Sequence, residues 1–315
     1  MWGAGKGGAF FNTINDAVAS PSVQPGSVID VCPGTYAQQV VINKALTIQG
    51  IFSGDSSQAV ITVPGGGLTT TSSVNSILVT VAAQVEVTAG PVNISNITVD
   101  GTARTATCPS TYEVGIFYSS GSSGTVNEIE THNQNCGSYN GIGIAAENGA
   151  AASPQSVTIE NSNIHDNSFI GITTCSDQTP STLTASIKGN YITGSAYGVL
   201  THCNAGGSVS GNFITIPASG YVPVYVGSHS ATVSGNTVIG GSFGIEVEAA
   251  AVVSGNTVSN ATSAGIYVDA TGSLTSNHIV NNPYGILLGV SGATIKSNAI
   301  TKKPVSESSF SASRA

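Results

Sequence analysis

Charge is what this sequence has least of. Its 315 residues include 8 Lys and Arg and 16 Asp and Glu, about 8% charged, where an ordinary globular domain carries about a quarter. Exposed helix faces are dressed in Lys, Glu, Arg and Gln, so a chain this poor in charge is not a helical protein. Eight basic residues and a net charge of −8 also exclude a general polyanion binder, and with it nucleic acid, because binding phosphates takes Lys and Arg. An acidic polysaccharide would be repelled unless a cation bridged it. No apolar run approaches the roughly 18 residues of a membrane helix, which argues against membrane insertion. Met1-Trp2-Gly3 has neither the charged nor the apolar region of a signal peptide, so the chain reads as a mature one. The five cysteines, Cys32, Cys108, Cys136, Cys175 and Cys203, match no metal motif such as Cys-x-x-Cys, and their odd number leaves at least one unpaired or paired outside the chain.

What is present suits strands and turns: 39 Gly, with abundant Ser, Thr, Val and Ile. One phrase recurs, in Ser186-Ile187-Lys188-Gly189-Asn190, Ser208-Val209-Ser210-Gly211-Asn212, Thr232-Val233-Ser234-Gly235-Asn236, Val252-Val253-Ser254-Gly255-Asn256, Ser273-Leu274-Thr275-Ser276-Asn277 and Thr294-Ile295-Lys296-Ser297-Asn298. Its asparagines are 22, 24, 20, 21 and 21 residues apart. Between them lies a second phrase with period-2 alternation, as in Gly171-Ile172-Thr173-Thr174, Gly244-Ile245-Glu246-Val247 and Gly265-Ile266-Tyr267-Val268. Self-similarity at this period marks a solenoid, whose single repeat cannot bury its apolar face alone. Leucine-rich repeats are excluded because their LxxLxLxxN pattern is missing. The remaining fold class is all-β, a single parallel β-helix of roughly 20–24 residues per coil. Left-handed hexapeptide helices need coils of about eighteen residues, so the right-handed form fits. The asparagine column is expected to be structural, tolerating the left-handed bend of each turn and linking amides along the stack.

Phe10, Ile14, Ala17 and Val18 fall at helical spacing, which predicts a short N-terminal helix that caps the core. The organisation read from these patterns is a cap over residues 1–26, a β-helix over 27–303 and a polar tail over 304–315. An uncovered β-helix end is an edge that permits self-association. The stretches Ser27-Val28-Ile29-Asp30-Val31-Cys32-Pro33-Gly34-Thr35-Tyr36 and Val40-Val41-Ile42-Asn43-Lys44-Ala45-Leu46-Thr47-Ile48-Gln49-Gly50 resemble the first coils of the right-handed β-helix superfamily. That superfamily contains pectate lyases, polygalacturonases and the carbohydrate-binding and sugar-hydrolysis repeats of NosD-like proteins. The resemblance implies a polysaccharide partner and a site on the outward face of one parallel sheet. The Asn-Thr-Asp, Asp-Asp, Gly-His-Gly and Arg-Ile-Lys signatures of its hydrolases are missing, and its lyases use an Arg or Lys base beside calcium.

Stacking the coils by their Gly-Ile phrases sends Ile245, Val247, Ile266, Val268, Ile286 and Leu288 inward and leaves two outward columns. One runs Phe117, Gly143, Thr173, Leu200, Tyr225, Glu246, Tyr267, Leu287; the other runs Ser119, Ala145, Cys175, His202, Gly227, Glu248, Asp269, Gly289. Glu246, Glu248 and Asp269 then form one patch flanked by Tyr225, Tyr267 and His202. Like charges on adjacent strands destabilise and need a compensating cause. Three causes compete. Glu248 and Asp269 hold a hard cation such as calcium; the acids share a proton for glycosidic hydrolysis, with Tyr faces holding sugar rings; or the side chains splay into water. Arg104, with Asp100 and Glu113, is placed in a loop over residues 102–114 and is kept as a rim contact to substrate. His165-Asp166 is read as turn polarity, since neighbours on a strand point to opposite sides.

Cys175 and Cys203 take neighbouring positions on consecutive coils, and Cys108 and Cys136 precede Gly115 and Gly141, so both pairs are candidate disulfides of a secreted or periplasmic protein. The other sheet carries hydroxyl columns, Ser186 to Thr294 and Lys188 to Lys296, that resemble the face of β-helical antifreeze proteins. The functional reading is a carbohydrate-active protein that hydrolyses, or binds through a cation, a polysaccharide. Its alternatives are a structural, adhesive or ice-binding solenoid and a polysaccharide lyase.

Overall fold

Each coil contributes one strand to each of three parallel sheets in the computed structural model, which describes residues 8–51, 58–69, 80–102, 112–119, 121–135, 139–149, 153–178, 181–228 and 230–301. The first sheet runs through 11 strands from Ser27–Val31 to Thr294–Lys296, and the second through 11 from Gly34–Ala37 to Ala299–Thr301. The third has 10, from Val40–Ile42 to Tyr284–Leu288. Every strand pairs with the strand one coil away, which is a parallel β-helix. The hydroxyl columns are in register as expected, Ser186, Ser208, Thr232, Val252, Ser273 and Thr294 following one another down the first sheet.

Alternation builds the core. Ile245, Val247, Ile266 and Val268 point inward and are fully buried, each worth roughly 1.5–3 kcal/mol on removal from water. Leu288, assigned inward by the same alternation, is 45% exposed because it lies on the last coil of the third sheet, where no further coil stacks on it among the described residues.

The asparagine column is buried and continuous. Asn212 donates from Nδ2 to Ile187 O (3.0 Å) and Asn236 Oδ1 (2.9 Å), and Asn236 repeats the pattern to Val209 O and Asn256 Oδ1. Each Oδ1 also accepts the backbone N–H of the preceding asparagine, so the column satisfies turn backbone that water cannot reach. The left-handed residue is not the asparagine, as the sequence suggested, but the one before it: Gly211 (φ 63), Gly235 (φ 64), Gly255 (φ 64) and Ser276 (φ 57). The asparagines therefore serve by their amides and their predecessors make the bend.

At the N-terminus a helix spans Ile14–Ala19, capped by Thr13 Oγ1 accepting from Asp16 N at 3.0 Å. Ile14, Ala17 and Val18 are buried against the first coil, whereas Phe10 precedes the helix and is 76% exposed. The proposed tail, 304–315, lies outside the described residues.

The third sheet differs from the others on its outer face. Over its N-terminal coils the outward residues Phe117, Ala145 and Leu200 are buried and form a second apolar cluster with Val81, Val114 and Ile142, onto which Tyr112, Phe169, Tyr197 and Tyr225 pack. Over its later coils the same face opens to solvent, and there Glu246, Glu248 and Asp269 lie.

Candidate functional site

Glu246 is the outward residue of the strand Phe243–Val247 and registers with Tyr225 on the preceding coil and Tyr267 on the next. Glu248 and Asp269 follow directly after the paired residues Val247 and Val268. Their amides continue the ladder, Glu248 N donating to Val226 O and Asp269 N to Val247 O, both at 2.8 Å. The three acids thus emerge side by side from neighbouring rungs, Glu246 half-buried and the other two exposed.

The tyrosines fold over this patch. Tyr225 O–H donates to Glu248 Oε2, and its ring covers Gly227, where a Cβ would stand only 2.7 Å from Tyr225 Cε1. At the other end a Cβ on Gly289 would meet Asp269 Oδ1 at 2.5 Å and the Tyr267 hydroxyl at 2.7 Å. The two glycines of the column are what let the rings lie down along it. Tyr267 stacks on Phe243 with centroids 4.8 Å apart, and Tyr225 meets Tyr197 edge-on at 6.4 Å. Tyr197 in turn stacks on Tyr221 at 5.2 Å, so the patch continues into an aromatic belt.

Burial, then the negative charges of Glu248 and Asp269 and a hydrogen bond with Glu248, push the Glu246 carboxyl up to about 7. Burial, then the hydrogen bond to Glu248 and the charges of Glu248 and Glu246, hold the Tyr225 phenol well above its usual value. Glu246 is therefore a carboxyl that keeps its proton near neutrality beside two other acids, which is the form general acid catalysis needs. A calcium site calls for six to eight oxygens around one point. Among the described residues these acids are not a group whose three ligand atoms lie within 4.8 Å of one another.

The remaining sequence candidates fall elsewhere. His202 registers with Cys175 and presents no ring nitrogen to the acids: its Nδ1 lies 3.3 Å from Cys203 Sγ and its Nε2 is buried. Burial pulls its pKa down to about 4. Cys175 and Cys203 are joined by a disulfide, Cα atoms 5.2 Å apart, and Cys32 is free and exposed. Arg104, Cys108 and Cys136 lie outside the described residues. Glu113 sits not in a loop but in the strand Tyr112–Tyr118, where it is buried.

Two outward columns need correction at one coil. The register pairs Ala145 with Phe117 and Thr173, and Glu147 with Cys175, so Ala145 replaces Gly143 in the first column and Glu147 replaces Ala145 in the second. Gly141-Ile142-Gly143-Ile144 offers two glycine–isoleucine pairs, and the second is the true anchor. A Cβ on Gly143 would stand 2.7 Å from Gly171 O, so this stacking position admits only glycine. The two-residue slip hid Glu147, which with Glu86 and Glu113 forms a set of buried acids on the third sheet that alternation alone did not identify.

A second polar group lies on the second sheet. His132 and His165 register on adjacent coils with rings stacked 4.9 Å apart. His165 Nε2 is 3.2 Å from Glu130 Oε1 and its Nδ1 is 2.8 Å from Asp166 Oδ2. Burial lowers the His165 pKa, but the bonds to Asp166 and Glu130 outweigh it and the net shift is upward. The two neighbours meet, contrary to the alternation argument, because Asp166 adopts φ 53 and leaves the strand.

With the coils and the patch described, residues 148–300 match the family model for a right handed beta helix region. The fold is a right-handed parallel β-helix. Among solved structures it is similar to the Azotobacter vinelandii mannuronan C-5 epimerase AlgE4 A-module, with 14% identity, a TM-score of 0.64, and coverage of 93% of this chain and 94% of that one. It is also similar to an alginate lyase from Paenibacillus sp. str. FPU-7, with 15% identity, a TM-score of 0.57, and coverage of 92% and 96%. The Dettilon tailspike protein gp208 gives 14% identity and a TM-score of 0.58 over 86% of this chain, which spans about half (54%) of that longer chain. No curated protein matches the chain by sequence. At these identities the likeness establishes the fold. No helix of the described residues is long and apolar enough to cross a membrane.

Proposed function

We propose that this protein hydrolyses a polysaccharide on the outer face of its third sheet. The observation that carries the reading is Glu246, a carboxyl raised to about 7 on an otherwise weakly charged solenoid, flanked by two acids and two tyrosines. In this reading Glu246 donates a proton to the leaving oxygen, and Glu248, held by the Tyr225 phenol, keeps that proton on Glu246. Asp269 stands one coil over and two residues along from the position paired with Glu246, about 8 Å away between Cα atoms by strand geometry. Its charge reaches Glu246 and helps keep that carboxyl protonated, and in this reading Asp269 is the carboxylate that activates water. Tyr225 and Tyr267 supply apolar ring surface against which a sugar packs.

The acids make a neutral glycan the better substrate, since an acidic one would need a bridging cation such as calcium on Glu248 and Asp269. The solved epimerase and alginate lyase that share the fold carry names of acidic-polysaccharide enzymes, which supports a polysaccharide as the partner. The Cys175–Cys203 disulfide supports a secreted or periplasmic setting. The alternative of an ice-binding face on the hydroxyl columns of the first sheet is less favoured, because Lys188, ion-paired to Glu160 at 2.8 Å, interrupts the flat array an ice surface needs.

Affinity electrophoresis in gels containing neutral and acidic polysaccharides tests the surface. Wild type should be retarded by at least one of them, and Tyr267→Ala should lose that retardation. Equal mobility of the two proteins in every gel contradicts the placement.

A further inference from the structure

The spacing of the cysteines along the chain matches no metal motif, yet the coil register assembles a ligand set that spacing does not show. Cys175 pairs with His202, and Ser176 with Cys203, across the strands Ile170–Ser176 and Tyr197–Cys203. The ligand atoms of Cys175, His202 and Cys203 all lie within 4.8 Å of one another, the one group of three or more His, Cys, Asp or Glu that meets this condition among the described residues. His202 Nδ1 is 3.3 Å from Cys203 Sγ, and Asp177 Oδ1 is 3.9 Å from Cys175 Sγ. The His202 Nε2 is buried with no hydrogen-bond partner, so the imidazole is spent on no structural bond other than its contact with the sulfur.

These separations suit a tetrahedral zinc site once the sulfurs part. Zinc bonds of about 2.3 Å to sulfur and 2.0–2.1 Å to nitrogen set a sulfur–nitrogen edge of about 3.6 Å and a sulfur–sulfur edge of about 3.8 Å. The nitrogen is already within a few tenths of an ångström of its edge. Only the S–S bond stands in the way, because bonded sulfurs have no thiolate to offer.

We propose that the Cys175–Cys203 disulfide is the oxidised form of a zinc site, made of two thiolates and the His202 imidazole, that forms on reduction. In the first step a dithiol reductant gives two electrons to the disulfide. Its own two sulfurs join, and its two protons pass to Cys175 and Cys203. In the second step Zn2+ displaces both thiol protons and closes bonds to the two sulfurs and to the ring nitrogen that faces them. The fourth position goes to the Asp177 carboxylate or to water. A disulfide oxidant reverses the sequence: it takes two electrons from the two thiolates and is itself reduced to a dithiol with two protons from water, the Cys175–Cys203 bond reforms and Zn2+ leaves. The site is separate from the acidic patch and does not depend on its reading.

The test titrates Co2+, a coloured stand-in for zinc, into the full chain under argon, once oxidised and once reduced with a phosphine, followed by competition with Zn2+. The reduced protein should develop a thiolate-to-cobalt charge-transfer band that saturates at one equivalent and is erased by Zn2+; the oxidised protein should show none. Cys175→Ser and Cys203→Ser should abolish the band, Cys32→Ser and Cys108→Ser should keep it, and His202→Ala should weaken zinc binding at least about tenfold. Circular dichroism of the reduced protein is recorded in parallel. A reduced chain that keeps its β spectrum and shows no band overturns the proposal. A band that survives Cys203→Ser, or a chain that loses its β spectrum on reduction, does so too, since the site requires the two coils in register.

Discussion

Tyr225 and Glu248, two residues on consecutive coils, are tied by a phenol O–H that donates to a carboxylate oxygen. The bond fixes the Glu248 carboxylate beside Glu246, whose own carboxyl is raised in part by the Glu248 charge. Tyr225→Phe removes the donor and keeps the ring. Urea unfolding should show a loss of about 1 kcal/mol, the usual net worth of a partly exposed hydrogen bond, and glycan turnover should fall further than that loss explains. Turnover at the wild-type level would show that the tie has no part in the chemistry.

The raised Glu246 carboxyl makes stability depend on pH in a defined window. The unfolded chain releases this proton near 4.5 and the folded chain holds it to about 7. Between those values the folded state binds more protons, so stability falls as pH rises through the window and stays low above it. With solvent screening of a half-buried group taken into account, the amount is on the order of 1 kcal/mol. Glu246→Gln has no proton to lose. Its melting temperature should match wild type below pH 4.5 and exceed it at pH 8, and parallel curves across the range would contradict the shift.

The asparagine column gives a prediction about the scaffold alone. Asn236→Ala removes the acceptor of the Asn212 N–H and the side-chain donor to Val209 O in a dry interior, and leaves the Asn212 and Asn256 amides one bond short each. Each such buried group costs about 1–3 kcal/mol, so the variant should lose about 3 kcal/mol or more in urea unfolding. Asn281→Ala, at an exposed left-handed turn joined to Asn260, should lose far less. Equal losses would mean that the column is not a principal support of the stack.

Much of this was legible in the sequence, because a solenoid repeats one local decision many times. The 20–24-residue period and the two phrases give the coils, and the register of Glu246, Glu248 and Asp269 follows from the Gly-Ile anchors. The misreadings arise where a local signal is doubled or overridden. Gly141-Ile142-Gly143-Ile144 has two anchors, and the choice between them turns on carbonyls of the next coil that sequence does not display. Asp166 escapes strand alternation through a left-handed turn, and Leu288 is exposed because alternation says which way a residue points and not what covers it. The buried outer face at Phe117 and the metal-ligand geometry at His202 both depend on what lies on neighbouring coils.

The central claim is that Glu246, Glu248 and Asp269 act on a polysaccharide, and release of new reducing ends from a panel of neutral and acidic polysaccharides tests it most directly. Wild type and Glu160→Gln, whose change lies on another sheet, should release products from at least one member of the panel, and Glu246→Gln and Glu248→Gln should release at least about a hundredfold less. Products from Glu246→Gln and Glu248→Gln at the wild-type rate, or none from wild type on any polysaccharide, would contradict the account.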